Sequence, residues 1–293
     1  MLNKSSLVIT IHARVAKARE RLRRAGITPE EADLDARLLA QKLLGWDAAR
    51  FLTSANEPEP ADFAALYEPL VARREGREPL AYITGRQEFW GLDFEISPAV
   101  LIPRPETELI VEAALERFPD RHASLEAADV CTGSGCLAVA LAHERPGARI
   151  VAADVSADAL RTARRNADRH GVGDRVELVQ ADVLDGTGHR AADLIVSNPP
   201  YVPEGDRATL QAEVRDHEPA IALFAGEDGL AIIRRLVDQS TGRLKTGGLL
   251  IFEFGLGQAD AVRELISRRP GLTMLDVKQD LQGIPRTAVA RRS

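Results

Sequence analysis

Over the first seventy residues, apolar positions recur at helical spacing. In "HARVAKARERLRRAG" they share one face and the run stops at Gly26, within a region expected to be helical from Leu7 to Leu70. A second helix is predicted to start at Pro29, capped by Thr28 with Glu31 three residues on, and to end near Gly45. From Arg86 to Pro103 the pattern changes to aromatic and β-branched residues alternating around Gly91, which predicts a β-hairpin, and the helix "ETELIVEAALERF" follows. From Leu125 onward strand-like and helical segments take turns: "LEAADVC", a helix over Leu137 to His143, "ARIVAAD", a helix over Ala157 to His170, "RVELVQAD" and "ADLIVSN". This alternation predicts a parallel sheet covered by helices. A helix around Leu230 to Leu244, the strand "GGLLIFEFG", a helix from Gln258 to Arg268 and two closely spaced last strands, Thr273 to Lys278 and Thr287 to Arg291, complete the pattern; the last pair is expected to be antiparallel. The fold class is therefore α/β, a Rossmann-like sheet with an antiparallel last strand. Residues 1–80 are expected to form a small helical domain, 81–105 a hairpin linker and 106–293 the α/β domain.

Composition narrows the partners. The 293 residues are 45% hydrophobic, enough for a proper core. The apolar run "LVITI" is shorter than a signal-peptide core and no run approaches membrane-spanning length, which points to a cytoplasmic protein without membrane contact. Cys131 and Cys136 stand without a second Cys or His pair at ligand spacing, so neither a disulfide framework nor a metal site is expected. A net charge of −6 argues against stable nucleic-acid binding through a broad basic surface. The first helix carries Arg14, Arg19, Arg21, Arg23 and Arg24, which reads as a solvated face or a docking patch.

Candidate chemistry sits at the strand ends. "DVCTGSGCLAVALA" puts Gly133 and Gly135 between a strand and a helix, where backbone passes close to a ligand, and lacks the third glycine of the dinucleotide fingerprint. Asp154 closes the next strand, a little beyond the roughly 20-residue offset at which carboxylates grip ribose hydroxyls, and Asp182 closes the third. The fourth ends in Asn198-Pro199-Pro200-Tyr201. Prolines cannot continue a ladder, so this segment leaves as a stiff turn that offers carbonyl acceptors, the Asn198 amide and a flat ring. It reads either as a simple strand-closing turn or as a cradle for a planar group carrying NH₂. Ligands of open α/β sheets bind outside these strand ends, and a nucleoside held without phosphate contacts suggests S-adenosylmethionine over NAD.

The core "DVCTGSGCLAVALA…VAADVS…VQAD…IVSNPPY" resembles class I S-adenosylmethionine-dependent methyltransferases. With "PLAYITGRQEFWGLDFEISPAVLIPRPETELIVE" before it, the chain is similar to the release factor glutamine methyltransferase family over almost its whole length. The resemblance implies methylation of the glutamine side-chain nitrogen in the Gly-Gly-Gln motif of peptide chain release factors by a monomeric enzyme whose helical domain recognises the substrate. It implies cofactor contacts from Cys131, Thr132, Gly133, Ser134, Gly135, Asp154, Asp182, Val183 and Asn198, and a catalytic turn of Asn198, Pro199, Pro200 and Tyr201. Cys131 stands where that family often carries glycine, which is similar to the sister family acting on a glutamine of a large-subunit ribosomal protein; the "IPRPETE" segment and "DLQGIPRTAVARR" favour the release-factor branch.

An amide nitrogen is a poor nucleophile, so the site must orient it and stabilise developing positive charge. The Asn198 oxygen and Pro199 carbonyl are the acceptors for that role, with Tyr201 beside the amide plane. No general base stands out. Phe89, Trp90 and Arg104 either close over the cofactor or pack the hairpin, and Glu106 is either part of the site or a first-turn helix carboxylate. An adenine exocyclic-amine methyltransferase would suit the same cradle but would have to hold a polyanion, against the acidic balance.

Overall fold

The computed structural model describes residues 9–188 and 191–293; Leu7 and Val8, where the helical expectation and the short apolar run begin, lie outside the described residues. The chain forms two compact units, one of residues up to Gly85 together with Ala212–His217, the other of Arg86–Gln211 and Glu218–Ser293.

The first unit is built from α1 (Ile11–Arg24), α2 (Pro29–Leu44), α3 (Ala48–Ser54), α4 (Phe63–Glu75) and α5 (Leu80–Thr84). Thr28 caps α2 by accepting from the Glu31 amide, and its hydroxyl also meets the Glu31 carboxylate, so the expected capping box forms. Gly45 ends the helix in the left-handed region, at φ 65°. Ile11, Val15, Ala18 and Leu22 form the buried stripe of α1 and pack with Leu39, Phe63, Tyr67, Val71 and Ile83. Ile83 carries the helical core past the boundary expected at residue 80.

Most of the α1 arginines are paired within the unit: Arg14 with Glu59 (2.6 Å), Arg19 with Asp33 (2.9 Å) and Arg21 with Glu75 (2.6 Å). Deeper, the Arg74 Nε donates to Asp35 Oδ2 at 2.6 Å, with both residues 5% exposed. Helix α9 (Ala212–His217) joins this unit because Glu213 accepts from Arg74 at 3.0 Å and Arg77 at 2.7 Å.

In the second unit, β1 (Arg86–Phe89) and β2 (Leu92–Glu95) pair antiparallel as the predicted hairpin. The hairpin packs as part of this unit and does not stand apart as a linker. Fully buried Asn166, on α8 (Ala157–Arg169), accepts from the Glu95 amide at 2.7 Å and donates to the carbonyls of Glu95 and Ser134. Phe89 and Phe94 pack edge to face.

After α6 (Glu108–Arg117) come β3 (Leu125–Val130), α7 (Cys136–Glu144), β4 (Ala148–Asp154), then α8, β5 (Val176–Gln180) and β6 (Ala192–Ser197). Past the α9 excursion the unit resumes with α10 (Ala231–Arg243), β7 (Leu244–Glu253), α11 (Ala259–Arg268), β8 (Leu272–Gln279) and β9 (Pro285–Arg292). Among the described residues seven strands form one sheet in the order β5-β4-β3-β6-β7-β9-β8. β3 to β7 run parallel, and β9 is antiparallel to both β7 and β8, as expected. Ile233, Leu236, Val262 and Ile266 of α10 and α11 pack with Leu250, Phe252 and Ala290 of the sheet. The order reverses between β3 and β6, where Val130 lies opposite Ser197 and the Ser197 hydroxyl donates to the Val130 carbonyl at 2.7 Å.

Replacing Arg74 by Met should strand the buried Asp35 carboxylate and lower stability by about 3 kcal/mol in urea unfolding. The double change Asp35→Leu with Arg74→Met should be less destabilising than Arg74→Met alone, since both buried charges then go together.

Candidate active site

The loop after β3 begins at Cys131 with φ 60°, a left-handed conformation, followed by Gly133 at 54° and Gly135 at 81°. A Cβ at Gly135 would fall 3.0 Å from the Ala163 Cβ and 3.2 Å from its Cα, so this glycine lets α7 start hard against α8. Gly133 donates its amide to Asp154 Oδ2, and Ser156 donates to Oδ1, both at 2.9 Å. The end of β4 therefore fixes the loop after β3 through one carboxylate.

These strand ends surround a cavity of about 330 Å³ contained within the second unit. Cys131, Thr132 and Ser134 line it from the loop, Asp154 from β4, Asp182 and Val183 from the segment after β5, and Asn198 and Pro200 from the turn after β6. Leu101, Pro103 and Thr107 contribute from the segment after the hairpin, and Ile221 and Ile232 from beyond α9. Most of the sequence-predicted residues are thus brought to one place. Gly133, Gly135, Pro199 and Tyr201 are not among the lining residues; the two glycines shape the loop.

Tyr201 differs from its expected place beside a substrate amide. Its hydroxyl donates to Glu253 Oε1 at 2.9 Å and its ring packs against the sheet core, because a buried carboxylate at the end of β7 demands a donor. Its carbonyl accepts from Gln258 Nε2 at 3.0 Å, which pins the turn. Of the two readings of the hairpin residues, packing is the one observed. The Trp90 amide donates to Glu108 (2.7 Å) and its indole N–H to Glu144 (3.2 Å), while Arg104 pairs with buried Glu218; none of Phe89, Trp90, Arg104 or Glu106 lines the cavity.

The polar atoms sort by commitment. Asp182 faces an exposed ion pair with Arg235 at 2.8 Å. Asn198 donates through Nδ2 to the Thr107 hydroxyl at 2.9 Å, whereas its Oδ1 is buried without a partner. Thr107 in turn donates to Glu253 Oε2 at 2.6 Å. Asp129, next to the last residue of β3, accepts from Thr132 Oγ1 (2.6 Å) and the Ala138 amide (3.1 Å). Burial pushes the Asp129 carboxyl up to about 7, and burial likewise raises Asp154 and Glu253. Val183, a β-branched residue at φ 59°, and Cys131 hold left-handed backbone at the cavity edge, the kind of local strain found at ligand clamps.

Residues 15–85 match the family model of the PrmC N-terminal domain and residues 107–215 that of the Methyltransferase small domain. A release factor glutamine methyltransferase of Geobacter sulfurreducens is 44% identical over 262 residues, 89% of this chain and 90% of that protein. The chain belongs to the release factor glutamine methyltransferase family. Another member, from Bradyrhizobium diazoefficiens, is 44% identical over 281 residues, covering 93% of this chain and 91% of its own. A solved methyltransferase of Pyrococcus furiosus shares the fold at a TM-score of 0.51 and 17% identity, over 76% of this chain and 96% of that one.

Thr107, Asp129, Glu218 and Glu253 escaped the sequence reading. A charge inside the apolar run "LLIFEFG" was the legible sign of Glu253, and Asp129 stands just before the glycine loop. Because the Asp129 carboxyl lies above its unfolded value, the native state binds its proton more tightly. Its contribution to stability is full below about pH 4 and is lost as pH rises toward 7. Asp129→Asn should therefore lose less stability than the wild type between pH 4.5 and 7.5 in urea unfolding.

Proposed function

We propose that this protein transfers a methyl group from S-adenosylmethionine to the side-chain amide nitrogen of the glutamine in the Gly-Gly-Gln motif of peptide chain release factors, in the cytoplasm. The observation that carries the reading is the buried, unpartnered Asn198 Oδ1 beside a cavity that also presents Asp154. A buried acceptor without a donor is costly unless a ligand supplies one, and a primary amide does so.

The donor set fits the cofactor. A volume near 330 Å³ lies at the low end for small-molecule sites, and the apolar side chains of Leu101, Leu137 and Ile232 suit a purine. Each Asp154 oxygen accepts one backbone N–H and keeps a lone pair for a ribose hydroxyl. When bound, the cofactor supplies an electrophilic sulfonium methyl whose C–S bond breaks as the C–N bond forms.

The chain's part is orientation and charge. Asn198 Oδ1 accepts one substrate N–H and the Pro199 carbonyl the other, which aims the nitrogen lone pair and stabilises the positive charge that grows on nitrogen. The substrate nitrogen gives up one proton after transfer. Prolines at 199 and 200 keep these acceptors from swinging, and Gln258 braces the turn from outside. Recognition of the folded release factor is assigned to the helical unit, since a Gly-Gly-Gln tip alone offers little area to bury.

Asn198→Ala should reduce single-turnover methylation of a release factor by at least about a hundredfold, comparable to losing one preorganised polar group, while calorimetry finds cofactor affinity nearly unchanged. Asp154→Ala should do the reverse, weakening cofactor affinity first. Equal losses of both quantities in Asn198→Ala would remove the role given to that side chain.

A further inference from the structure

The hydrogen bonds behind the turn run in one direction. Tyr201 donates to Glu253 Oε1, Thr107 donates to Glu253 Oε2, and Asn198 Nδ2 donates to Thr107 Oγ1. Thr107 and Glu253 are each 1% exposed, so water does not compete for these positions. A threonine hydroxyl has one proton and two lone pairs, whereas an ionised carboxylate can only accept. Once Thr107 gives its proton to Glu253, its oxygen can only accept, and the partner it faces must be a donor. The amide of Asn198 has a donor end and an acceptor end of nearly the same shape, and nothing but its partners decides which faces where.

We propose that Glu253, acting through Thr107, is the positioning residue that fixes the facing of the Asn198 amide and so turns its oxygen toward the substrate nitrogen. The inference rests on the function proposed above and deepens it. A side chain that keeps its acceptor toward the Tyr201 hydroxyl and presents a donor in place of Oε2 reverses the chain: that donor meets Thr107, Thr107 donates to Asn198, and the amide turns over. Its NH₂ would then meet the substrate NH₂, donor against donor. The negative charge has a second effect, since successive donors ending on an anion polarise one another and make Asn198 Oδ1 a stronger acceptor.

Protonation of Glu253 would act in the same way. The charged and titratable groups around it are Arg286, which favours the ionised form, Glu106, which opposes it, and Tyr201 and Cys136. With burial disfavouring the charge as well, activity should fall on the acid side at a pH above the ordinary glutamate range.

The test compares full-length Glu253→Gln, Thr107→Val and Thr107→Ser with the wild type, using intact release factor and S-adenosylmethionine. Glu253→Gln, similar in shape but able to donate, should lower kcat at least about tenfold, a loss on the scale of one misdirected polar contact, with cofactor affinity within about threefold and no acid limb in its pH profile. Thr107→Ser keeps the hydroxyl and should recover at least about tenfold of what Thr107→Val loses. In ¹⁵N-labelled protein the Asn198 side-chain amide signal should move with pH in the wild type and stay still in Glu253→Gln.

Wild-type turnover by Glu253→Gln, equal damage in both Thr107 variants, or cofactor affinity falling in step with kcat would each overturn the proposal. A wild-type protein that leaves release factor unmethylated would refute the substrate reading; the Asn198 signal then decides the positioning role by itself, and an unresponsive signal refutes it.

Discussion

Val130 opposite Ser197 is the pairing on which the site depends. Parallel β3 and β6 are neighbours at the point where strand order reverses, so their carboxyl ends open side by side and not one above the other. That register places the loop starting at Cys131 next to the turn starting at Asn198. A slip of one residue would exchange the faces of every side chain on β6 and carry Asn198 away from the cavity. The Ser197 hydroxyl on the Val130 carbonyl adds a side-chain lock to the ladder at its final rung.

Around that point the molecule accepts carboxylates where a core would ordinarily exclude them. Asp129, Asp154 and Glu253 all have their acidity weakened by burial, and hydrogen bonds donated by backbone amides or hydroxyls partly offset it. Each ties its strand end to a neighbouring segment: Asp129 holds the start of α7, Asp154 the glycine loop, Glu253 the turn after β6 through Tyr201 and Thr107. The buried charges therefore act as fixed points for loops that lack secondary structure of their own, in exchange for some stability.

Much of this was legible because it lies in periodicity or in residue types with few structural uses. Alternating helix and strand patterns gave the sheet, Thr28 and Gly45 marked the ends of α2, and two prolines after an apolar strand marked the turn. What escaped depends on partners far along the chain. Thr107 and Glu253 are separated by 146 positions and acquire meaning only when α6 and β7 come together. Tyr201, expected beside the substrate amide plane, has its hydroxyl on Glu253, on another strand. Cys131 was legible as a departure from glycine but its consequence was not. At φ 60° the position favours glycine, and the thiol is accommodated there against backbone preference.

Helix α9 has an implication for how the chain is made. Its residues emerge from the ribosome long after the rest of the helical unit, yet Glu213 supplies the carboxylate that meets Arg74 and Arg77. During synthesis the first five helices must collapse with Arg74 held by Asp35 and Arg77 by the Gly26 carbonyl but both still lacking Glu213, and the unit closes only when β6 and the turn behind it have already been translated. The nascent protein therefore cannot finish its first unit before it has made β6 and the turn that follows it.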